Sequence, residues 1–265
     1  MKILFIGDIV GKPGREAVVK LVPELKKELE LDFVIANAEN AAGGSGITPK
    51  VGQELFDSGV NVLTSGDHIW KKPEIFDYIA QNPRVLRPLN YPPGAPGCGW
   101  GIFNTPGSGD KIGVICLLGR VFLEALEDPF RAARAAVDEI SKQTKCIFVD
   151  MHAEATSEKV AMGWYLAGQV TAILGTHTHI QTADEKILPG GTAYLTDVGM
   201  TGPYDSVIGR KVEDVLQRFL TQIPVRFEVA SENIQLHAAL VECDPVTGRA
   251  SQITRVQKKL ADSAG

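Results

Sequence analysis

Short apolar runs recur along the chain, each followed by a loop rich in glycine or polar residues and then by an amphipathic stretch. A continuous apolar run is the signature of a strand buried on both faces, so the alternation predicts βαβ units built around a mostly parallel sheet. The first run, Lys2 to Ile6, leads through Gly7-Asp8-Ile9-Val10-Gly11-Lys12-Pro13-Gly14 into a helix expected from about Arg15 to Glu30. Val18, Val19, Val22, Leu25 and Leu29 fall at helical spacing there. Pro23 interrupts them, which leaves either a kinked helix or two shorter ones. A second run, Phe33 to Ala36, ends in Asn37-Ala38-Glu39-Asn40 and a glycine-rich loop, and Thr48-Pro49 has the form of an N-cap followed by a first-turn proline. The third run, Val60 to Leu63, gives way to Thr64-Ser65-Gly66-Asp67-His68, with a short helix after Pro73.

Residues 88–110 break this rhythm with clustered prolines and glycines and read as an irregular or sheet-edge seam between two halves. Beyond it the pattern predicts a strand at Ile112–Leu118, a helix near Pro129–Ser141, strands at Cys146–Val149 and Val170–Leu174, and a helix over Glu158–Gly168. The tail alternates at Ile234, Leu236, Ala238 and Leu240, turns at Pro245-Val246-Thr247-Gly248 and offers a last strand, a closing antiparallel hairpin.

Composition narrows the class without naming a function. The 265 residues are 44% hydrophobic and 22% charged, an ordinary globular balance with enough apolar residues for a sizeable core. The net charge of −5 argues against bulk coating of nucleic acid or of an anionic membrane. The apolar start of the chain is too short for a secretory signal, and no stretch approaches the roughly 18 apolar residues of a membrane span. Four scattered cysteines with no C-x-x-C pair read as reduced, and a cytoplasmic protein is expected.

The candidate chemistry stands at the carboxyl ends of the apolar runs. Asp8 comes directly after the first, Glu39 and Asn40 after the second, Asp67 and His68 after the third, His152 after a later one, and His177 and His179 after the next. In a parallel sheet, residues just past the carboxyl ends of strands converge on one edge. A single aspartate there is commonly a turn former and a single histidine commonly a satisfied interior group. Four of the five histidines sit at strand ends, however, and only His237 falls inside a strand, where it reads as structural. Carboxylates, imidazoles and an amide without thiolates suit Mn²⁺, Fe or Zn²⁺. About seven ligands drawn from these eight residues exceed one four-coordinate ion and suit two ions sharing a carboxylate, about 3.5–4 Å apart.

The series Gly7-Asp8, Glu39-Asn40, Gly66-Asp67-His68, His152 and Gly175-Thr176-His177-Thr178-His179 resembles the motif blocks of the calcineurin-like dinuclear metallophosphoesterases. The longer strings Asn37-Ala38-Glu39-Asn40, Asp150-Met151-His152-Ala153-Glu154 and Asp197-Val198-Gly199-Met200-Thr201-Gly202-Pro203 are similar to the YmdB-like bacterial branch, over most of the chain. Two departures from the broad family stand out. Ile9-Val10 replaces the usual x-His after Asp8, with Asn40 as the substitute ligand, and Asp67 stands where an asparagine is usual.

The resemblance implies a four-layer αββα sandwich, and the spread of ligands from Asp8 to His179 favours one domain over residues 1–265. It places Asp8, Glu39, Asn40 and His179 on one metal and Glu39, Asp67, His152 and His177 on the other, with Glu39 bridging. Fe or Mn is the first choice, with Zn and Mg as alternatives. Two divalent ions against three carboxylates leave the site slightly positive, which attracts phosphate. The implied mechanism is attack by hydroxide generated at the two ions, with His68, free of metal duty, protonating the leaving oxygen. The implied substrates are small phosphate esters, above all 2′,3′-cyclic nucleotides and also 3′,5′-cyclic ones. A phosphomonoesterase, or a non-hydrolytic regulator that binds nucleotides or RNA ends through a degraded site, are the alternatives. The oligomeric state stays open, a homo-oligomer included.

The remaining motifs are weaker. Gly7-Asp8-Ile9-Val10-Gly11-Lys12-Pro13 is too short between its glycines for a Walker loop and has proline where a Mg²⁺-binding hydroxyl belongs. Asp150 and Glu154 flank His152 and either orient it or are plain strand-end residues, while Asp197 reads as a turn former. Trp70 and Trp100 read as packing residues. Thr201-Gly202-Pro203-Tyr204-Asp205-Ser206 reads either as a substrate-facing loop or as an ordinary connection.

Overall fold

A computed structural model describes residues 1–261 of the chain. Strand β1 (Lys2–Ile6) feeds β2 (Asp8–Ile9) and helix α1 (Gly11–Glu28). Next come β3 (Phe33–Asn37), α2 (Pro49–Asp57), β4 (Val62–Thr64) and α3 (Ile75–Gln81). The middle of the chain builds β5 (Trp100–Asn104), β6 (Lys111–Leu118), α4 (Pro129–Ile140), β7 (Ile147–His152), α5 (Thr156–Leu166) and β8 (Ala172–Thr176). It ends with β9 (Lys186–Leu188), β10 (Thr192–Leu195), β11 (Met200–Pro203), α6 (Val212–Thr221), β12 (Ile234–Cys243) and β13 (Ala250–Lys259).

The strands form two sheets, so the strand ends meet across a pair of sheets and not along the edge of one. In the first sheet, β1 lies parallel to β3 and β3 to β4, while β12 runs antiparallel beside β1. β13 covers the far edge of β12, and β11 continues past the end of β1 to pair with both β12 and β2. In the second, β6, β7, β8 and β10 are parallel, and β5 and β9 close the edges in antiparallel sense. The Pro/Gly-rich seam thus contributes the edge strand β5.

Strand alternation decides the layering. Ile3 and Phe5 of β1 and Phe33 and Ile35 of β3 point inward, against Val114 and Cys116 of β6, Phe148 of β7 and Leu174 of β8. Their neighbours Leu4, Ile6, Val34 and Ala36 point outward, under Val18, Leu21, Val22 and Leu25 of α1 and Leu55 of α2. The second sheet repeats the scheme, with Ile115, Val149 and Ile173 under Ala133, Val137 and Ile140 of α4 and Met162 of α5. Helix, sheet, sheet, helix is the expected four-layer arrangement.

Local chemistry accounts for the helix boundaries. The Thr48 hydroxyl accepts from Val51 N and the Asp128 carboxylate from Phe130 N and Arg131 N, each ahead of a first-turn proline. α1 begins at Gly11, four residues before the expected start, because Gly11 N donates to the Asn40 carbonyl and so turns the chain at once. Pro23 lies inside α1 without ending it, since its ring faces solvent, where water can satisfy the carbonyl it leaves free. Thr201–Pro203, expected in a loop, are buried strand, because short β11 is paired on both sides. All four cysteines are free. Among the described residues no helix is long and apolar enough to cross a membrane.

Candidate metal centre

The carboxyl ends of β1, β3 and β4 in one sheet and of β7 and β8 in the other open onto the same place. Asp8, Glu39, Asn40, His152 and His179 are all buried there. Glu39, Asp67, His152 and His177 each offer a ligand atom, all within 4.8 Å of one another. The Nε2 of His152 is the hub, 3.2 Å from Glu39 Oε2, 3.3 Å from Asp67 Oδ1 and 3.0 Å from Nδ1 of His177. This is the second ligand set expected from the sequence, with its four members together.

The other set lies alongside. Asn40 Nδ2 donates to Glu39 Oε1 at 2.8 Å and faces His179 Nε2 at 3.3 Å. His179 Nε2 lies 3.9 Å from Asp8 Oδ1. Asp8 Oδ1 and Asn40 Oδ1 are buried oxygens with no hydrogen-bond partner. Each such orphaned acceptor costs about 1–3 kcal/mol, and a cation satisfies both. Asn40 presents its nitrogen to Glu39 and His179, so an oxygen ligand on that side requires the amide to rotate about χ2.

The unused ring nitrogens of the histidines are each held by an acceptor, which frees the other nitrogen's lone pair for a metal. The Thr176 hydroxyl donates to Asp150 Oδ1 at 2.6 Å, so toward His152 Nδ1, 2.8 Å away, its oxygen acts as acceptor. His177 Nε2 lies 3.2 Å from Glu154 Oε2, and His179 Nδ1 lies 3.0 Å from the Ile208 carbonyl. Asp150 is locked by Thr64 Oγ1 at 2.5 Å and Asn37 Nδ2 at 3.0 Å. Sequence reasoning left Asp150 and Glu154 open between orienting and plain roles, and missed Asn37, Thr64 and Thr176 altogether.

Backbone geometry serves the same end. His177 and His179 both have positive φ, 97° and 65°, which non-glycine residues rarely adopt and which cluster at functional sites. The loop is pinned by His177 N on Asp8 Oδ2 at 3.1 Å and by Thr178, whose amide and hydroxyl both donate to Asp197. Asp197 is buried and paired with Lys159 Nζ at 2.7 Å, a structural anchor for the ligand loop beyond the turn former expected. At Gly66, any Cβ would collide with Glu39 Oε2 and His152 Nε2, so glycine is what lets Asp67 and His68 approach.

The electrostatics are those of a site that draws positive charge. Burial alone would raise Glu39, but His152 and His68 beside it hold its carboxyl well below the usual range. Burial would lower His152, yet the Glu39 charge and the Asp67 hydrogen bond hold it well above. Asp8 is pushed up to about 6 by burial, against the pull of His179 and His152. His177 falls to about 4 through burial and the neighbouring His152. His68 stays outside the four-residue cluster and partly exposed, with Nδ1 3.1 Å from Glu39 Oε1, a hydrogen bond that raises its pKa, and Nε2 3.5 Å from Asp67 Oδ2.

The ligand loops floor a cleft of about 670 Å³. Glu39, Asn40, His68, Glu154, His177 and His179 line one side, and Val207, Arg210, Val215, Arg218, Phe219 and Phe227 line the other. The expected loop at residues 201–206 does not line it; the segment just after it does. Trp70 stacks on Phe76 at 5.3 Å and meets Tyr91 edge-on, so it packs, as does Trp100 in β5.

Two facing sheets that deliver carboxylates and imidazoles from both sides to one buried cluster define a metallophosphoesterase. A 5′-nucleotidase from Candida albicans shares this fold, with a TM-score of 0.55 at 11% identity over 97% of this chain and 50% of that one. The chain belongs to the YmdB-like protein family, which it matches over residues 4–256. It is 50% identical over 256 residues to a Bacillus subtilis protein named 2′,3′-cyclic-nucleotide 2′-phosphodiesterase, covering 97% of this chain and 96% of that one. The crystal structure of a hypothetical protein from Thermus thermophilus superposes with a TM-score of 0.91 at 40% identity, covering 98% and 99% of the two chains. Family and cluster together identify a centre for divalent metal ions.

Proposed function

We propose that this protein is a dinuclear metal-dependent phosphodiesterase acting on cyclic nucleotides, 2′,3′-cyclic ones first and 3′,5′-cyclic ones second. The observation that carries the reading is the cluster of Glu39, Asp67, His152 and His177, with the orphaned oxygens of Asp8 and Asn40 beside it. Asp8, Glu39, Asn40 and His179 would hold one ion and Glu39, Asp67, His152 and His177 the other, with Glu39 shared. The thiolate-free donor set suits Mn, Fe or Zn, and the family resemblance puts Fe or Mn first. The substrate class follows the name of the relative from Bacillus subtilis, which shares half of its residues with this chain.

Divalent ions bound there supply Lewis acidity toward phosphoryl oxygens and lower the pKa of water toward neutrality. The protein supplies the rest. Asp150 through Thr176, Glu154 and the Ile208 carbonyl keep three imidazoles in one tautomer and orientation. His68, tethered at Nδ1 by Glu39, holds a proton at Nε2 for the leaving oxygen, a general-acid contribution of typically 10²–10⁴-fold. The ligands come from residues 8–179 and from both sheets, which favours one interdependent domain, and the absence of a membrane-crossing helix among the described residues is compatible with cytoplasmic residence.

Turnover of 2′,3′-cyclic AMP, 3′,5′-cyclic AMP and a nucleoside monophosphate, measured side by side with metal analysis, tests the reading. Hydrolysis of the cyclic diesters is expected. Turnover of the monoester alone would make the protein a phosphomonoesterase, and binding without turnover in Mn²⁺ or Fe would make it a regulator.

A further inference from the structure

The cleft over the metal centre has two chemically unlike walls. A phosphate and the ions need only the polar one. The opposite wall is apolar and aromatic, and it is built by a segment that contributes almost nothing to the core. Helix α6 buries only Val215, while Phe219 is 70% and Phe227 40% exposed, both lining the cleft.

Phe227 is nevertheless held in place. The backbone of Glu228 donates to Asp214 Oδ2 at 2.9 Å and accepts from Lys211 N at 3.0 Å, which ties the strand-like return to the start of α6. Arg210 bridges to Val229 and donates from its guanidinium to the Gly44 carbonyl, joining this wall to the loop after Asn40. The same segment supplies the Ile208 carbonyl to His179. The aromatic wall is therefore positioned relative to the ligand loops. Arg210 and Arg218 place positive charge on that side, and the lining carries no carboxylate there.

We propose that Phe219 and Phe227 form the base-binding wall of the site, stacking on the nucleobase of a substrate whose phosphate lies at the metal centre. Aromatic rings read the face common to all bases and not their hydrogen-bonding edges, so the wall separates nucleotides from base-free phosphate esters without separating adenine from uracil. The volume of about 670 Å³ falls within the usual range for small-molecule sites and far exceeds the needs of a phosphate alone. The inference rests on the phosphodiesterase reading for the identity of the phosphate, but it is a statement about binding.

Calorimetric titration of Mn²⁺-loaded protein with adenosine 3′-monophosphate, uridine 3′-monophosphate and methyl riboside 3-phosphate tests it without requiring turnover. Both nucleotides should bind tighter than the base-free ester by about fivefold to hundredfold, the span carried by base–aromatic stacking. That preference should shrink in Phe219→Ala and Phe227→Ala, nearly vanish in the double variant, and survive better in Phe219→Tyr than in Phe219→Leu. Equal affinities in the wild type, or a preference that persists in the double variant, would overturn the proposal. So would loss of the preference accompanied by a change in mass by light scattering, which would assign the rings to a contact between copies. A preserved preference with no turnover of any ester supports the wall and overturns the enzymatic reading instead.

Discussion

The Nδ1 of His152 lies 2.8 Å from Thr176 Oγ1, on the side of the ring opposite Glu39 and Asp67. With the threonine hydroxyl committed to Asp150, the imidazole must donate from Nδ1, so Nε2 is the nitrogen left for a metal ion in the cluster to take. Thr176→Val should therefore weaken metal binding about 10–100-fold while Thr176→Ser retains it. Metal content after competition with a chelator reads the difference, and equal retention in both variants contradicts the relay.

Gly66→Ala places a methyl group against Glu39 and His152. Overpacking of this kind costs typically about 1–3 kcal/mol, and the cheapest relief is to displace one of the two ligands. The variant should purify with reduced metal content and a lower melting temperature. A fully loaded variant would show that the approach of Glu39 to His152 is not what glycine protects.

His68→Ala should leave metal stoichiometry intact and cut turnover of 2′,3′-cyclic AMP at least about 100-fold. Elemental analysis and steady-state kinetics on the same preparation check both halves. Normal turnover in the metallated variant would remove His68 from the role of acid.

Removal of the metal ions should destabilise the whole protein, because Asp8 and Asn40 keep buried acceptors without partners. Binding at 100 times Kd contributes about 2.7 kcal/mol. Thermal unfolding in chelator and in excess Mn²⁺ should differ by several degrees, and superposable melting curves would count against the centre.

His237, outside the cleft lining, packs its ring at 4.4 Å from that of Tyr204 with its Nδ1 unpartnered, and burial lowers its pKa to about 4. Between its ordinary value of 6.5 and about 4, the unfolded chain takes up a proton that the native state refuses. Stability conferred by the neutral ring is thus full above 6.5 and is lost as pH falls toward 4. Urea midpoints at neutral pH and near the lower limit should show the wild type losing about 2 kcal/mol more than His237→Phe.

The core strands were legible where they are long and continuously apolar, as in β1, β3, β6, β7 and β8, whereas their division between two sheets came only from the family resemblance. The candidate ligands were legible because they stand at or just past the carboxyl ends of β1, β3, β4, β7 and β8. What stayed hidden was short or lateral. β11 carries Gly202 and Pro203 and is a strand only because β2 and β12 hold it on either side. α6 repeats apolar residues at Val212, Val215, Leu216 and Phe219 with helical spacing, yet buries one of them, so its signal concerns the cleft more than the core. Asn37, Thr64 and Thr176 are the last residues of β3, β4 and β8, and nothing in a single strand shows that the three will meet around Asp150 from two different sheets.

The division of the cluster between the sheets gives the molecule a built-in completeness check. A ribosome that has released only the chain through β4 and its following loop has delivered Asp8, Glu39 and Asp67 without one of the three imidazoles from residues 152–179. Such a fragment holds acids but no centre. On the proposed ligand assignment the centre is complete only once the second sheet has docked, and a proteolytic cut that separated the two sheets should abolish metal binding along with it.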